Sequence, residues 1–278
     1  RDGCPHDRHS LPCIKFMTDT IDIHSLIRTA REAGDAILKI YRQDFKIYEK
    51  QDASPLTEAD LASHRIIVDA LRQLTPDIPV LSEEDADIPF TERSQWSSYW
   101  LIDPLDGTKE FIKKNDEFTV NIALVKEHRP HIGVVHVPAT GVTFYGEAGK
   151  GAFRIEDGKT VQIHATQPAR IPLRVAGSRS HAGSSLQTFL EKVGEHEIIS
   201  MGSSLKLCLV AEGKADIYPR LGPTSEWDTA AAQAVVEAAG GMVTDTSGNP
   251  LLYNMKESLL NPHFLVFGDS SRDWSSYL

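Results

Sequence analysis

Between Tyr99 and Thr108 an apolar run, Tyr99-Trp100-Leu101-Ile102, leads straight into Asp103-Pro104-Leu105-Asp106-Gly107-Thr108. The run reads as a strand, and its ending narrows the folds open to this chain. Two carboxylates separated by a stiff Pro-Leu pair can be aimed into one small space, while Gly107 lets the backbone turn tightly behind them. Carboxylate oxygens beside a free main-chain carbonyl suit Mg2+, a hard cation that takes oxygen ligands and keeps several waters. The same residues also suit a plain turn in which Asp103 and Asp106 cap backbone groups and bind nothing. The motif alone leaves both readings open.

Two further acidic segments bear on that choice. Ser82-Glu83-Glu84-Asp85 follows another apolar strand at Val80-Leu81, and Glu226-Trp227-Asp228 lies at the start of a helix, where the backbone dipole favours negative charge. Glu84 and Asp85 read as a solvated acidic run. For Asp228 the alternative is an N-cap with no ligand role. Gathering Glu83, Asp103, Asp106 and Asp228 is very costly without cations, because like carboxylates raise one another's pKa values. Metal ions remove that cost.

Apolar residues at Ile23, Leu26, Ile27, Ala30, Ile37 and Ile40 predict a helix from Asp22. Thr57 with Asp60 reads as a capping box opening a second helix, which Pro76 ends. Segments 118–125, 131–137, 142–147, 152–155 and 161–163, parted by Gly-rich turns, predict an antiparallel meander. Beyond Ala165, strands at 173–176, 198–199, 216–218, 242–244 and 264–267 alternate with helices near 184–193, 203–212 and 229–239. The expected fold class is α/β. An N-terminal α+β lobe over 17–165 carries the antiparallel sheet and most of the acidic residues; a C-terminal α/β lobe covers 166–268 and a tail 269–278. Residues 1–16 lack periodicity and a secretory apolar segment, and are expected to be a non-native or disordered leader ahead of Met17.

Composition excludes several functions. Lys and Arg number 29 against 39 Asp and Glu, a net charge of −10, which is wrong for a surface that must neutralise many phosphates. Long nucleic acid is therefore not an expected partner, and a metal-dependent nuclease is disfavoured. No stretch approaches the ~20 apolar residues of a spanning helix. Cys4, Cys13 and Cys208 show no C-x-x-C spacing, and none of the 11 histidines forms an H-E-x-x-H pair, so neither a disulfide framework nor a zinc site is expected. A reducing cytoplasm is the simpler location.

Four segments together carry a resemblance: Ser54-Pro55-Leu56-Thr57-Glu58-Ala59-Asp60, Leu81-Ser82-Glu83-Glu84-Asp85, the run from Trp100 to Phe111, and Trp227-Asp228-Thr229-Ala230-Ala231. They resemble the motifs of the 3'(2'),5'-bisphosphate nucleotidases of the inositol monophosphatase superfamily, over about Ile21 to Phe267. The resemblance implies layers in the order αβαβα, as in fructose-1,6-bisphosphatase-like sugar phosphatases. It also implies a phosphatase that uses two or three Mg2+ ions and is inhibited by lithium. By position it implies that Glu83, Asp103, Asp106, Asp228 and the Leu105 carbonyl hold the metals. Thr108, paired with Asp60, would help to activate the attacking water, and Glu83 would steady it. Glu83, Leu105, Asp106, Gly107, Thr108 and Asp228 would surround the scissile phosphate.

Specificity rests on other segments. Ser178-Arg179-Ser180-His181, Ser203-Ser204-Leu205-Lys206 and Tyr218-Pro219-Arg220 resemble the nucleotide-binding segments of these enzymes. They point to His181, Ser203, Lys206 and Arg220 as partners of a second phosphate. Read alone, Lys206 and Arg220 are surface charge and Asp60 is a cap residue. The expected small-molecule substrate is adenosine 3',5'-bisphosphate, cut to AMP and phosphate, with 3'-phosphoadenylyl sulfate as a second substrate, in sulfur assimilation. An inositol or sugar phosphatase on the same fold, and a non-catalytic nucleotide- or metal-binding module, are the alternatives. Peripheral association with the cytoplasmic side of the inner membrane is suggested for some relatives, but no amphipathic basic helix is visible here to explain it.

Overall fold

The computed structural model describes residues 21–50, 55–177 and 183–278. The expected leader and His181 lie outside the described residues. Helix α1 (Ile23–Tyr41) buries Leu26, Ile27, Ala30, Ala33 and Ile37 along one face, and its N-cap Asp22 accepts the His24 amide. A hairpin of β1 (Ile47–Glu49) and β2 (Pro55–Thr57) precedes α2 (Glu58–Leu74). The sequence reading has no such hairpin, because its strands are three residues long and β1 is exposed throughout.

The chain continues through β3 (Val80–Ser82), the short α3 (Phe90–Arg93), β4 (Ser98–Asp106), α4 (Thr108–Ile112), β5 (Thr119–Lys126), β6 (Arg129–His136), β7 (Thr143–Glu147), β8 (Gly151–Glu156) and β9 (Lys159–Ile163). These strands lie side by side in chain order as a seven-stranded sheet, parallel only between β3 and β4. Then follow β10 (Leu173–Gly177), α5 (Ser184–Val193), β11 (His196–Ser200), α6 (Leu205–Ala211), β12 (Ile217–Arg220), α7 (Glu226–Ala238), β13 (Met242–Asp245) and β14 (Phe264–Phe267). They form a five-stranded sheet of order β11-β10-β12-β14-β13, with β11, β10 and β12 parallel.

Side-chain alternation along β4 and β5 explains the layers, since successive residues of a strand face opposite ways. Trp100, Ile102, Val120, Ile122 and Leu124 pack with α1 and α2 on one face. Tyr99, Leu101, Ala123 and Val125 pack on the other with α6, α7 and the inner face of the second sheet. Beyond that sheet, Leu173, Val175, Ile217 and Leu265 meet Phe189 and Leu190 of α5, together with Trp274. The result is the αβαβα layering that the resemblance implies. Among the described residues no helix is long and apolar enough to cross a membrane.

Two helix starts differ from the sequence reading. Helix α6 begins at Leu205 rather than 203, because Ser203 has φ 44°, a left-handed conformation incompatible with a helical turn. Helix α7 begins at Glu226 rather than 229, three residues earlier, which puts Asp228 inside its first turn.

Helix α7 lies almost on the backbone of the large sheet. A Cβ added at Gly133 would stand 2.0 Å from the Ala231 carbonyl oxygen, and one at Gly146 would stand 2.8 Å from Val235 Cα. Gly133→Ala is therefore expected to lower stability by about 1–3 kcal/mol or more, since an overpacked contact against backbone has no flexible side chain to yield. Urea unfolding of the variant checks this; an unchanged midpoint would show that α7 is free to lift.

Candidate active site

The site begins as an irregularity in β4. Asp103 faces Asn121 and Asp106 faces Thr119, so an advance of three residues on β4 meets two on β5. Pro104 has no N–H to give the ladder, and the strand bulges there. The bulge releases backbone groups for other uses. The Leu105 N–H donates to Asp103 Oδ1 at 3.1 Å, the Pro104 carbonyl accepts from Ser63 Oγ at 2.6 Å, and the Leu105 carbonyl lies 3.4 Å from Thr108 Oγ1. Gly107 then turns the chain into α4 with φ +89°, and a Cβ there would sit 3.0 Å from the Glu117 carbonyl oxygen.

Asp103, Asp106 and Asp228 each bring a carboxylate oxygen within 4.8 Å of the others. Each is aimed by a backbone N–H. Besides the Leu105 bond to Asp103, Asp106 Oδ2 accepts the Ser204 N–H at 2.5 Å, and Asp228 Oδ2 accepts the Ser225 N–H at 2.8 Å, as the third residue of α7 can. Ser204 is itself anchored, its hydroxyl lying 2.8 Å from Thr119 Oγ1 and 2.9 Å from Asn121 Oδ1.

Asp106 and Asp228 keep some solvent-facing surface, yet the surrounding protein strips water from both carboxyls. Burial pushes Asp103 well above the carboxylate range, and the charges of Glu83, Asp106 and Asp228 push it further. Burial raises Asp106 to about 6, against the pull of the Lys206 charge and the Ser204 N–H. Asp228 rises to about 8 through burial and the Asp106 charge. Glu83 acts on Asp103 through both its charge and a side-chain hydrogen bond. An all-oxygen donor set, desolvated and in want of positive charge, can hold a metal ion.

Helix α2 stitches the neighbouring segments together. Asp60 Oδ2 accepts from the Thr57 N–H at 2.8 Å and its hydroxyl at 2.6 Å, while Oδ1 accepts from Thr108 Oγ1 at 3.0 Å. The capping and site roles of Asp60 thus use different oxygens. Burial raises its pKa, with the Thr57 and Thr108 hydrogen bonds opposing. One turn on, Ser63 holds Pro104, and His64 Nδ1 lies 2.8 Å from Ser82 Oγ.

Lys50, absent from the sequence reading, reaches Glu83 Oε1 at 2.8 Å and Glu84 Oε1 at 2.7 Å. Burial alone would lower its pKa, but the charge of Glu83 and the hydrogen bonds to Glu83 and Glu84 raise it. This corrects the reading of Glu84 as solvated: its side chain is 4% exposed, and burial lifts its pKa to about 7. Asp85 is exposed as expected. Cys208 is a free thiol buried in the core.

Lys206 is not surface charge. It is 7% exposed, its Nζ donates to the Ser203 carbonyl at 2.9 Å and the Met201 carbonyl at 3.3 Å, and burial lowers its pKa despite the nearby Asp106. Arg220 donates through Nη2 to the Pro223 carbonyl at 2.9 Å, and its charge acts on Asp228. Ser203 Oγ and Arg220 Nε are buried without a hydrogen-bond partner among the described residues. The fold therefore brings Asp60, Glu83, Asp103, Leu105, Asp106, Gly107, Thr108 and Asp228 into one neighbourhood, with Ser203, Lys206 and Arg220 at its border.

The layered fold and the oxygen-lined acidic cluster define a phosphatase class. The chain belongs to the inositol monophosphatase family, whose model matches residues 21–269. Over 247 residues, 88% of this chain and 98% of the relative, it is 52% identical to the 3'(2'),5'-bisphosphate nucleotidase CysQ of Escherichia coli (strain K12). It is 39% identical over 257 residues, 91% of this chain and 95% of the relative, to the Haemophilus influenzae protein of the same name. Among solved structures it is similar to CysQ from Bacteroides thetaiotaomicron, at TM-score 0.78 and 42% identity over 90% of this chain and 97% of that one. The Thermotoga maritima IMPase follows at TM-score 0.72 and 27% identity, over 87% and 90%.

The raised carboxyls make stability depend on pH and metal together. In metal-free protein they keep protons that the unfolded chain has already released, so stability falls as pH rises from the ordinary carboxylate range near 3.8, until Asp106 has titrated at about 6 and Asp228 at about 8. A cation displaces those protons and binds better where they have already gone. Magnesium chloride is expected to raise Tm more at pH 8 than at pH 6, measured against melts in chelator. Equal increments would mean that these carboxyls do not titrate in that window.

Proposed function

We propose that this chain is a Mg2+-dependent 3'(2'),5'-bisphosphate nucleotidase that removes the 3'-phosphate of adenosine 3',5'-bisphosphate, yielding AMP and phosphate. 3'-Phosphoadenylyl sulfate is its second substrate, and sulfur assimilation in the cytoplasm its setting. The observation that carries the reading is the pair of cations beside the acidic cluster: the charge of Lys206 acts on Asp106, and that of Arg220 on Asp228. A substrate with phosphates at both ends needs partners beyond the cleavage site, and these two residues supply them. The names carried by relatives at 52% and 39% identity support the same substrate class.

Two or three Mg2+ ions, held by Glu83, Asp103, Asp106, Asp228 and the Leu105 carbonyl, would neutralise the cluster, draw in phosphate oxygens and acidify water. The protein's own residues then order the reaction. Thr108 Oγ1 donates its hydrogen bond to Asp60 Oδ1, which leaves its lone pairs to accept an O–H from water. As the water oxygen bonds to phosphorus and the bond to the ribose 3'-oxygen breaks, the water proton passes to Thr108 and the Thr108 proton to Asp60, while the departing 3'-oxygen takes a proton from a solvent water to become the hydroxyl of AMP. The raised pKa of Asp60 suits it to receive that proton. Glu83, fixed by Lys50, steadies the water. The amides of Gly107 and Thr108 take oxygens of the scissile phosphate, while Ser203, Lys206, Arg220 and His181 hold the second phosphate.

A second reading, an inositol or sugar phosphatase, draws on the likeness to the Thermotoga maritima structure. A monophosphorylated sugar has no use for the Lys206 and Arg220 charges.

Asp103→Asn is expected to cut Mg2+-dependent phosphate release on the order of 100-fold or more, which also separates an enzyme from a non-catalytic binding module. Undiminished release would remove this mechanism. Arg220→Ala is expected to raise KM for the bisphosphorylated nucleotide about 10-fold or more, the value of one charge-assisted hydrogen bond, while changing inositol 1-phosphate turnover little. Steady-state kinetics on both substrates checks this, and equal effects would favour the sugar phosphatase.

A further inference from the structure

We propose that Asn261 is a positioning residue that holds Asp228 in the acidic cluster by clamping the N-cap of α7 from outside. The inference rests on the reading of Asp228 as a metal ligand. The segment between β13 and β14 runs back along the start of α7. Leu260 pairs with Ser225 in an antiparallel bridge, the Glu226 N–H donates to the Leu259 carbonyl at 2.8 Å, and the Asn261 N–H donates to the Thr224 carbonyl at 2.9 Å.

The Asn261 side chain closes this grip. Its Nδ2 lies 2.9 Å from the Ser225 carbonyl, 3.0 Å from Thr229 Oγ1 and 3.2 Å from Thr224 Oγ1. A main-chain carbonyl can only accept, so the contact with Ser225 sets which way the amide faces. Thr229 is buried, and its hydroxyl also meets the Tyr253 hydroxyl at 2.8 Å, which donates to Gln233 Oε1 at 2.7 Å one turn further along α7.

Ser225 is thus held at both ends. It gives its N–H to Asp228 Oδ2 at 2.8 Å and its carbonyl to Asn261. The charge of Asp106 pushes against Asp228, and the Ser225 N–H of the N-cap is the bond that holds Asp228 Oδ2 against that push. Asn261 opposes that push without touching the cluster.

Calorimetric titration of the metal-free full chain with Mg2+ tests this. Asn261→Asp keeps the shape but sets an oxygen against the Ser225 carbonyl, and is expected to weaken Mg2+ binding about tenfold or more, as loss of a residue supporting a ligand does. Asn249→Ala, on an exposed turn, leaves binding at the wild-type level. Wild-type affinity in folded Asn261→Asp overturns the proposal, whatever its Tm. Should that variant not fold, Thr229→Val removes one clamp partner at constant size and is expected to weaken binding about threefold; unchanged affinity there overturns the proposal equally. Asp228→Asn separates the two levels: if it binds Mg2+ as wild type does, the ligand reading falls and this proposal with it.

Discussion

Repulsion among the carboxylates of Asp103, Asp106 and Asp228 is the constraint that the rest of the structure answers. With oxygens within 4.8 Å, each ionised pair repels by roughly 3 kcal/mol at the effective dielectric of a protein site. Three such pairs approach the whole stability of an ordinary domain. A hydrogen bond to a charged group returns about 1.5–3 kcal/mol, so the one N–H on each Asp narrows the deficit without closing it. Each bond has a second effect, since it commits one oxygen to the backbone and fixes where the other points. Asp60 follows the same plan, with one oxygen on its helix cap and the other on Thr108.

Holding like charges together also demands rigid carriers. Strand β4 lies between two cores, with Trp100 and Ile102 packed on one side and Tyr99 and Leu101 on the other, so its acidic end cannot swing away without opening both. Helix α7 delivers Asp228 from the far side of the sheet and is pinned by backbone-to-backbone approach at Gly133 and Gly146. The first turn of α7 has a further benefit, because the aligned backbone dipoles of the helix favour at its N-terminus the negative charge that Asp103 and Asp106 oppose. Packing on this scale converts electrostatic strain into a fixed geometry.

What was legible in the sequence follows the range of the interactions involved. The Asp103–Thr108 turn and the Thr57–Asp60 cap are made within a few residues, and local composition announces both. The meander was visible because apolar runs punctuated by glycine turns leave one antiparallel answer. Lys50 was invisible: its partners lie 33 and 34 residues away, and nothing around it is periodic. Glu84 was misread for the same reason, since the lysine it pairs with lies 34 residues away. The start of α7 was placed late because Glu226 is a buried charge, held by the Asn254 N–H at 3.0 Å rather than by a pattern of its own. Ser204 was passed over for Ser203, and only the left-handed turn at Ser203 tells them apart: it leaves the Ser203 hydroxyl without a partner among the described residues and puts the Ser204 N–H on Asp106.

The fixed cations show why a mobile one is still needed. Lys50 binds the outer carboxylates Glu83 and Glu84, while the charge of Lys206 acts on Asp106 and that of Arg220 on Asp228 from further off. None makes a hydrogen bond or ion pair with Asp103, Asp106 or Asp228 among the described residues, and Asp228 stays at about 8 in spite of Arg220. A lysine or arginine placed among the three would quench the repulsion permanently and fill the space between them. Cations held at the rim instead can meet an anionic substrate while the centre stays short of positive charge. That shortage suits the centre to a metal ion and would tie the site's charge to what is bound there.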